Sequence, residues 1–473
     1  SLLQQIYDPA SPNYHHYLAP EQFTEQFGPT KADYQAVMAF AAANGFKITA
    51  RHPNRMILDV SGSVPTIERA FHLNLGVYHH PTENRTFYAP DTEPSLDLAV
   101  PILHISGLND YALPRPRMEA RPLISGQNAQ SNAGSGPGGT YLGKDFRAAY
   151  LPDTTLAGSG QSVGLLQFDG YTPGDITYYE NLAGLPNIPL QNVLVDGASG
   201  HPSGSGGEVE VSLDIEMAIS MATNLSTVIV YMAPNPSPFV DLLNRMATDN
   251  LAKQLSCSWY EPNGTADPAA DQIFQEMAAQ GQSFFNASGD DDAYTGLISF
   301  PGDTSYITQV GGTTLTTSGP GGAWVSETVW NWGNGIGSGG GISTQYPIPD
   351  WQTNIDMTSS QGSTTMRNTP DVALTADQVY VRADGRDYNV GGTSCAAPLW
   401  AGFAALVNQQ AAASAQPAIG FINPAIAVIA GSPDYPAAFH DITTGNNTRP
   451  GSSTKFYAVS RYDLCTGWGT PAG

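Results

Sequence analysis

The chain has 473 residues, enough for two domains, and a net charge of −23 that argues against nucleic acid as a partner. No uninterrupted apolar run reaches the roughly 18 residues of a membrane-spanning helix, so no membrane span is predicted. Its three cysteines, Cys257, Cys395 and Cys465, show no CxxC spacing, which argues against a disulfide framework and a zinc site. The scarcity of basic groups suits a protein that works in acid, although ordinary solubility explains it equally well.

Residues 1–112 are predicted to form an α+β module. A Thr30 cap and the glycine at 45 delimit its first helix. The predicted elements are a helix at 31–43, strands at 46–50 and 55–60, a helix at 63–71, and strands at 73–78 and 86–88. This order makes up most of a ferredoxin-like sandwich, which also requires a strand before the first helix. The sequence shows no clear strand there.

The composition changes between residues 113 and 139. A segment with alternating proline and arginine leads into residues 125–139, which are dominated by serine, glycine, asparagine and glutamine. Such a composition is typical of an exposed, flexible linker. It therefore separates the first module from a second, larger domain.

Residues 140–473 alternate short apolar strands with helices. Strands are predicted at 162–167, 226–232, 283–287 and 307–310, and helices at 208–221, 239–250 and 268–280. Alternation of this kind indicates a doubly wound parallel sheet covered by helices on both faces. In such sheets the active site lies at the carboxyl ends of the strands.

The turn Gly391-Gly392-Thr393-Ser394 is the most informative motif of the larger domain. Ser394 stands where an alanine-rich helix is predicted to begin, and Pro398 is expected in its first turn, where a missing N–H costs least. A hydroxyl at this position meets the positive end of the helix dipole and free N–H donors, which suit a developing oxyanion. Serine peptidases of the subtilisin type place their nucleophile in this way.

A serine nucleophile requires a base, and histidine is scarce in the larger domain. Only His201, in a glycine-rich loop, and His440, near the carboxyl end, occur there. Neither lies on a well-defined predicted element. A Ser–His–Asp triad is therefore poorly supported.

Carboxyl groups offer a better base. Glu210 and Asp214 lie four residues apart on a predicted helix and so share one face. Two carboxyls at that spacing can share a proton, which raises one pKa and allows a glutamate to act as a base in acid. Because Glu208 and Glu216 lie on the same helix, a solvated acidic face is the simpler alternative.

A third carboxyl, Asp290, follows the predicted strand at 283–287. At the end of a parallel strand it would point toward the active-site edge, and a protonated carboxyl there could donate a hydrogen bond to an oxyanion. Two alternatives remain open. Asp290 could simply form a turn, or it could form a small metal-binding loop with Asp291 and Asp292.

Together these motifs resemble the sedolisins, or serine-carboxyl peptidases, of the kumamolisin-like type, over almost the whole chain. The resemblance implies Ser394 as nucleophile, Glu210 as base, Asp214 as the residue that orients the base, and Asp290 as part of the oxyanion hole. It also implies a subtilisin-like fold. Residues 1–112 would be an activation propeptide, residues 113–139 a linker with the processing site, and residues 140–473 the peptidase domain.

The resemblance further implies one structural calcium ion near the carboxyl end, where hard oxygen ligands would hold it. Its implied ligands are Asp441, Ile442, Val459, Arg461 and Asp463. Val459 and Arg461 stand where the family often has glycine, which matters little for carbonyl ligands. Taken without the family, Asp441 and Asp463 could be ordinary turn residues.

Two further positions depart from the family pattern. Gln167 stands where kumamolisin-like members extend the chain of carboxyls with a glutamate, and Tyr260, after Trp259, replaces a common glycine. Loss of the charge at position 167 is expected to alter the pH profile. The proposed catalytic residues themselves are all present.

The resulting hypothesis is a secreted, monomeric, acid-active endopeptidase that is made as a self-processing zymogen and acts on proteins or peptides. One alternative is a tripeptidyl-peptidase of the same family. Another is a subtilisin-like enzyme that uses His201 as its base. A third is an inactive protein- or carbohydrate-binding module that retains the fold.

Overall fold

A computed structural model describes residues 1–123 and 134–473. Residues 125–133 of the predicted linker therefore lie outside the described residues. The first module has helices α1 (Leu2–Tyr7), α2 (Pro20–Phe27), α3 (Lys31–Ala43) and α4 (Val64–Phe71), and strands β1 (Lys47–Arg51), β2 (Leu58–Ser61), β3 (Leu75–His79) and β4 (Thr86–Pro90). Thr30 caps α3 as predicted, because its hydroxyl accepts the Asp33 N–H over 3.0 Å.

The α+β class predicted for this module is confirmed, while its strand pairing differs from a single ferredoxin-like sheet. Strand β1 pairs with β2, and β3 pairs with β4, as two separate antiparallel hairpins. Helices α1 and α2 precede α3 where a strand was required. Their sequences favour helix, since Ser1 and Gln4 form a capping box on α1 and Pro20 opens α2.

The first module packs on two helices of the larger domain, α8 (Phe239–Asp249) and α9 (Pro268–Ala279). Ile6 and Phe23 form a buried apolar cluster with Ala279 of α9. The buried Asn54 amide donates to Asn244 Oδ1 over 2.6 Å and to Glu276 Oε2 over 2.9 Å. Because these amide and carboxyl groups satisfy one another, the interface is specific as well as apolar.

The described part of the linker is not an exposed coil. Residues 115–122 include strands β5 (Arg115–Pro116) and β6 (Glu119–Pro122), and the Arg117 side chain between them is only 2% exposed. The prediction of an exposed, flexible segment is therefore wrong for Arg117 and for the paired strands, whereas Arg115, Glu119, Arg121 and Pro122 are exposed as predicted. Composition alone gave no indication of the strands of the larger domain with which they pair.

The larger domain is built on a mixed, mainly parallel sheet. Its remaining helices are α5 (Lys144–Tyr150), α6 (Pro173–Ala183), α7 (Glu208–Met221), α10 (Thr393–Ala413), α11 (Asn423–Ala430) and α12 (Tyr435–Ala438). Its strands are β7 (Ser162–Gln167), β8 (Leu190–Leu194), β9 (Thr227–Met232), β10 (Gln254–Cys257), β11 (Trp259–Tyr260), β12 (Ser283–Ala287), β13 (Asp291–Tyr294), β14 (Thr308–Thr317), β15 (Trp324–Val329), β16 (Asn331–Gly333), β17 (Ile336–Pro347), β18 (Met366–Thr369), β19 (Val372–Thr375), β20 (Val379–Ala383), β21 (Arg386–Gly391), β22 (Phe439–His440) and β23 (Thr470–Pro471).

Within the described residues the central sheet runs in the order β15-β14-β12-β10-β7-β9-β8, and β19 also pairs with β14. All pairs are parallel except β14 with β15. One apolar cluster joins the sheet to α7 and α10, and a second joins its other face to α8 and α9. This doubly wound, subtilisin-like architecture confirms the predicted fold class. It also brings the ends of β7, β10 and β12 to one edge.

The position of Pro398 within α10 differs from the prediction. The helix begins at Thr393, so Pro398 is its sixth residue and lies beyond the first turn. A proline there removes the N–H that would bond to the Ser394 carbonyl four residues earlier. The prediction that Pro398 lies in the first turn was wrong, because even a helix that begins at Ser394 has Pro398 as its fifth residue, beyond a turn of 3.6 residues.

Across residues 1–123 and 134–473, no helix is both long and apolar enough to cross a membrane.

Candidate active site

The turn between β21 and α10 presents Ser394 at the edge of the sheet. Gly392 takes a φ of 154°, and an added Cβ there would lie 2.9 Å from Asp290 Oδ2, so the turn needs glycine. Ser394 is fully buried, and its Oγ lies 3.0 Å from Glu210 Oε2. The hydroxyl therefore has a carboxylate, not an imidazole, in position to accept its proton.

Glu210 and Asp214 lie on α7, of which every residue is buried. The alternative of a solvated acidic face is therefore wrong. Burial and then the charge of Asp214 raise the pKa of Glu210 well above its usual range, while burial raises the pKa of Asp214 to about 7. Glu210 Oε1 has no hydrogen-bond donor among the described residues. A proton shared with Asp214 would satisfy this oxygen.

Asp214 is held from both sides. Ser258 Oγ donates to Asp214 Oδ1 over 2.7 Å, and Gln167 Nε2 donates to Oδ2 over 2.6 Å. Trp259 Nε1 in turn donates to Gln167 Oε1 over 2.8 Å. Gln167 thus continues the chain of buried polar groups without a charge, and the network fixes the direction in which Asp214 meets Glu210.

Asp290 follows β12 and faces the first residues of α10. Its Oδ1 accepts the Thr393 N–H over 2.9 Å and the Thr393 hydroxyl over 2.8 Å, while the buried Oδ2 has no protein partner among the described residues. Burial raises the pKa of Asp290 to about 8, against the lowering effect of the Thr393 hydrogen bonds. The unpartnered oxygen is therefore protonated in acid and available as a hydrogen-bond donor.

The two histidines of the larger domain lie apart from this arrangement. His201 lies exposed in its loop, and the ring of His440 stacks on Trp324 with centroids 3.9 Å apart. The Ser394 hydroxyl bonds to Glu210 instead. A Ser–His–Asp triad built on His201 is not supported.

Residues 115–122 lie across this site in an extended conformation. Strand β5 pairs antiparallel with β11 on one side, and β6 pairs antiparallel with β21 on the other. Between the two pairings the Ser394 N–H donates to the Arg117 carbonyl oxygen over 3.1 Å. Free N–H donors at this helix start were predicted to suit an oxyanion, and the Ser394 N–H binds a peptide carbonyl.

The residues implied for calcium meet at one loop. Asp463 is buried and accepts the Val459 N–H over 3.2 Å, while Asp441 accepts the Arg461 N–H over 3.0 Å. Arg461 takes a φ of 70°, a conformation that glycine adopts without strain. The two carboxyls, the main-chain carbonyl of Ile442 and the loop at 459–461 thus lie in neighbouring segments.

In the described ranges, no group of three or more histidine, cysteine, aspartate or glutamate side chains is placed to hold a metal ion. The alternative of a metal loop at residues 290–292 is therefore not supported. The residues implied for calcium include only two carboxylates, Asp441 and Asp463, and the other implied ligands are main-chain carbonyls.

Sequence reasoning missed several residues of the site. Thr393 and Ser258 bond directly to the candidate catalytic carboxyls, and Arg117 fills the cleft. Thr393 lies next to the predicted nucleophile, so its position was a usable signal. Ser258 follows β10, a short strand whose mixed residues show no periodicity.

Two family models match parts of this chain. Residues 1–111 match the model of the pro-kumamolisin activation domain, and residues 204–419 match that of the subtilase family. Kumamolisin from a Bacillus species is 31% identical over 479 residues, which cover 97% of this chain and 84% of the relative. Sedolisin from a Pseudomonas species is 28% identical over 504 residues, with coverages of 99% and 82%.

A solved structure also resembles the chain. Pseudomonas sedolisin, described as a serine-carboxyl proteinase complexed with two molecules of pseudo-iodotyrostatin, aligns with a TM-score of 0.60 and 25% identity. The alignment covers 73% of this chain and 96% of the other.

Proposed function

Because this chain belongs to the sedolisin family of serine-carboxyl peptidases, we propose that Ser394 is its nucleophile and that buried carboxyl groups supply its acid–base chemistry. These groups are Glu210, Asp214 and Asp290. The observation that carries the proposal is the 3.0 Å contact between Ser394 Oγ and Glu210 Oε2, with no competing histidine at the serine. The enzyme is a self-activating, serine-type peptide hydrolase with an activation domain.

The proposed reaction begins when Ser394 Oγ attacks the peptide carbonyl carbon and Glu210 takes the hydroxyl proton. Asp214 holds Glu210 in place and shares a proton with it. Asp290 Oδ2 and the Ser394 N–H donate to the oxyanion. The C–N bond then breaks as Glu210 returns the proton to the amine, and water hydrolyses the acyl-enzyme by the same steps.

The proposed mechanism favours acid. Asp290 must be protonated to donate, and the Glu210–Asp214 pair must keep one proton between its two carboxyls. Burial raises the pKa of Asp290 to about 8, so Asp290 is protonated at acidic pH. Burial also raises the pKa of both Glu210 and Asp214, so the pair retains a proton there. An imidazole base would instead be charged there.

Action as an endopeptidase is supported by the length of chain in the cleft. On the amino side of Arg117, β5 pairs with β11, and the carbonyl oxygen of Pro114 accepts a hydrogen bond from Asn235 Nδ2 over 2.8 Å. If Arg117, whose carbonyl contacts the Ser394 N–H, is counted as the first residue, Pro114 is the fourth residue toward the amino end. A tripeptidyl-peptidase would need a cleft that closes after three residues.

We propose that residues 1–112 are the activation domain, 113–139 the linker that is cut, and 140–473 the peptidase domain. A complete catalytic set within one chain supports action as a monomer on protein or peptide substrates. The raised carboxyl pKa values suit secretion into an acidic medium. An inactive binding module would have no need of Ser394, Glu210, Asp214 and Asp290 at one site.

Incubation of the purified chain in mild acid tests the proposed function. We expect the 50.0 kDa chain to shorten, as measured by mass spectrometry, and to digest denatured protein. His201→Ala, which removes the histidine of the rival triad, should retain the wild-type rate. An unchanged mass with no digestion would favour the binding module, and loss of activity in His201→Ala would favour a subtilisin-like mechanism.

We also propose one calcium ion held by Asp441, Asp463 and the main-chain carbonyls of three residues. The carbonyl donors are Ile442, Val459 and Arg461. Carboxylate and carbonyl oxygens are the hard ligands that calcium prefers, so the donor set fits. The Arg461 guanidinium does not compete for the carboxylates, since it donates to the Ala430 carbonyl oxygen.

Removal of calcium is expected to lower the melting temperature of the large domain by several degrees, because the ion binds only the folded state. The measurement is a thermal melt of the uncleaved Ser394→Ala chain with and without a chelator. Asp441→Asn should abolish the difference, whereas Asp434→Asn, at an exposed position nearby, should preserve it. Identical melting with and without chelator in the parent would contradict the site.

A further inference from the structure

The Arg117–Met118 peptide bond lies at the nucleophile. Besides the contact of its carbonyl with the Ser394 N–H, Arg117 donates its own N–H to the Ser258 carbonyl oxygen over 2.9 Å. An added Cβ at Gly392 would lie 2.5 Å from the Arg117 carbonyl oxygen and 2.7 Å from the Met118 Cα. Both halves of this bond thus contact the turn that carries Ser394.

The backbone on each side of the bond is held as an added strand. On the amino side, Pro116 pairs with Trp259, and on the carboxyl side, Glu119 pairs with Gly391. Strand addition is a common way to bind an extended peptide, because main-chain hydrogen bonds position it while pockets select its side chains. The segment therefore occupies the cleft in the manner of a substrate.

The Arg117 side chain fills a defined pocket, which we call the arginine pocket and which is formed by Tyr260, Asp291 and Tyr294. The guanidinium lies over the Tyr260 ring, 3.6 Å from its centroid. Its Nη1 donates to the Tyr294 hydroxyl over 2.9 Å and lies 3.4 Å from Asp291 Oδ2. A buried cation is costly without partners, and the ring, the hydroxyl and the carboxylate of this pocket suit a positive charge. The Nε and Nη2 atoms of Arg117 have no hydrogen-bond partner among the described residues.

Gly289 provides the room for this side chain. An added Cβ at Gly289 would lie 2.5 Å from Arg117 Nη1 and 1.8 Å from the Tyr294 hydroxyl. Any side chain there would displace both groups. The Asp291 carboxyl, in contrast, is 54% exposed and forms the wall of the pocket that faces solvent.

From this geometry we propose that the peptidase cleaves after arginine, and that Arg117–Met118 is the first bond it cuts in its own chain. The inference rests on the proposed function, because it uses the same nucleophile. Asp291 and Tyr260 then determine specificity without taking part in the chemistry. A planar guanidinium stacks on an aromatic ring better than an ammonium does, which favours arginine over lysine.

The self-cleavage step requires no co-reactant other than water. Ser394 Oγ forms an ester with the Arg117 carbonyl carbon as the bond to the Met118 nitrogen breaks. That nitrogen takes the proton that Glu210 removed from the serine. Water then hydrolyses the ester, which leaves a carboxylate on Arg117 and regenerates the serine hydroxyl.

The first test follows self-processing. The full chain is placed in mild acid, and the earliest fragments are identified by mass spectrometry and amino-terminal sequencing. We expect the first new amino terminus at Met118. In Arg117→Leu this cut should slow about tenfold or more, while Arg117→Lys should slow it less, because the lysine keeps the charge.

The second test measures specificity with the processed enzyme. Peptides that differ only in the residue before the cleaved bond are compared by kcat/KM in mild acid. That residue is arginine, lysine, leucine or glutamate. We expect arginine to be preferred. Asp291→Asn should lower the arginine-to-leucine ratio of kcat/KM about tenfold, and Tyr260→Leu should also lower this ratio.

Asp384→Asn serves as the matched control, since it removes an equal charge at a position paired with Arg386 instead. Retained cleavage of the leucine peptide shows that each variant is folded. The inference is overturned if the active enzyme has no preference for arginine, if Asp291→Asn leaves the ratio unchanged, or if the first cut falls elsewhere. An enzyme that is inactive on every peptide would instead count against the proposed function.

Discussion

Replacement of Ser394 by alanine is expected to abolish both self-processing and peptide hydrolysis. The structure gives the Glu210 carboxylate one hydroxyl to activate, at 3.0 Å, and alanine removes it. Loss of a nucleophile from a comparable serine peptidase costs about 10⁶-fold in kcat, so a fall of at least about 10⁴-fold is expected here. The measurement combines the mass of the chain after acid incubation with kcat on a peptide substrate.

Ser414→Ala provides a control at the other end of the same helix. Ser414 is the exposed C-cap residue of α10, and its loss should leave the rate unchanged. Circular dichroism should show that both variants are folded. Processing of the Ser394→Ala chain at the wild-type rate would rule out a serine mechanism.

Replacement of Asp290 is expected to have the second largest effect, and two variants separate its roles. Asp290→Leu removes both the acceptor that holds Thr393 and the donor aimed at the oxyanion. Loss of one oxyanion donor typically costs about 10²–10³-fold in kcat. Asp290→Asn keeps an oxygen for Thr393 and places an N–H donor where Oδ2 lies, so its kcat should fall much less.

The pH profile gives the sharper comparison. Asp290 must be protonated to donate, and burial raises its pKa to about 8, so kcat should fall as the pH rises through that value. An asparagine does not titrate, and the alkaline fall of kcat should therefore become shallower in Asp290→Asn. The Glu210–Asp214 pair still titrates in both proteins. Identical alkaline limbs in wild type and variant would show that Asp290 does not donate to the oxyanion.

Much of the larger domain could be predicted because its elements are locally encoded. Strands β7 and β12 and helix α7 begin and end where their apolar patterns do. The candidate nucleophile, Ser394, could be located from its glycine turn, and the Glu210–Asp214 pair from helical spacing. Each of these two signals spans only a few residues of the sequence.

The remaining features depend on contacts between distant segments. Ser258 reaches Asp214 only because β10 pairs between β7 and β12, and a four-residue strand of mixed polarity carries no period of its own. The burial of Arg117 could not be predicted either, because a segment that contains proline and arginine has the composition of a linker. In the first module, strand pairing into two hairpins was likewise not encoded by the order of elements.

The strand held in the cleft also determines how activation responds to dilution. While residues 115–122 remain joined to the domain whose cleft they fill, their local concentration is fixed by the length of chain between them and does not change with the amount of protein. The inactivity of the precursor therefore does not depend on the protein concentration. Once the chain is cut, the released arginine end becomes a separate ligand, and its hold on the cleft weakens as the protein is diluted. Dilution would thus speed the final appearance of activity but not the first cut.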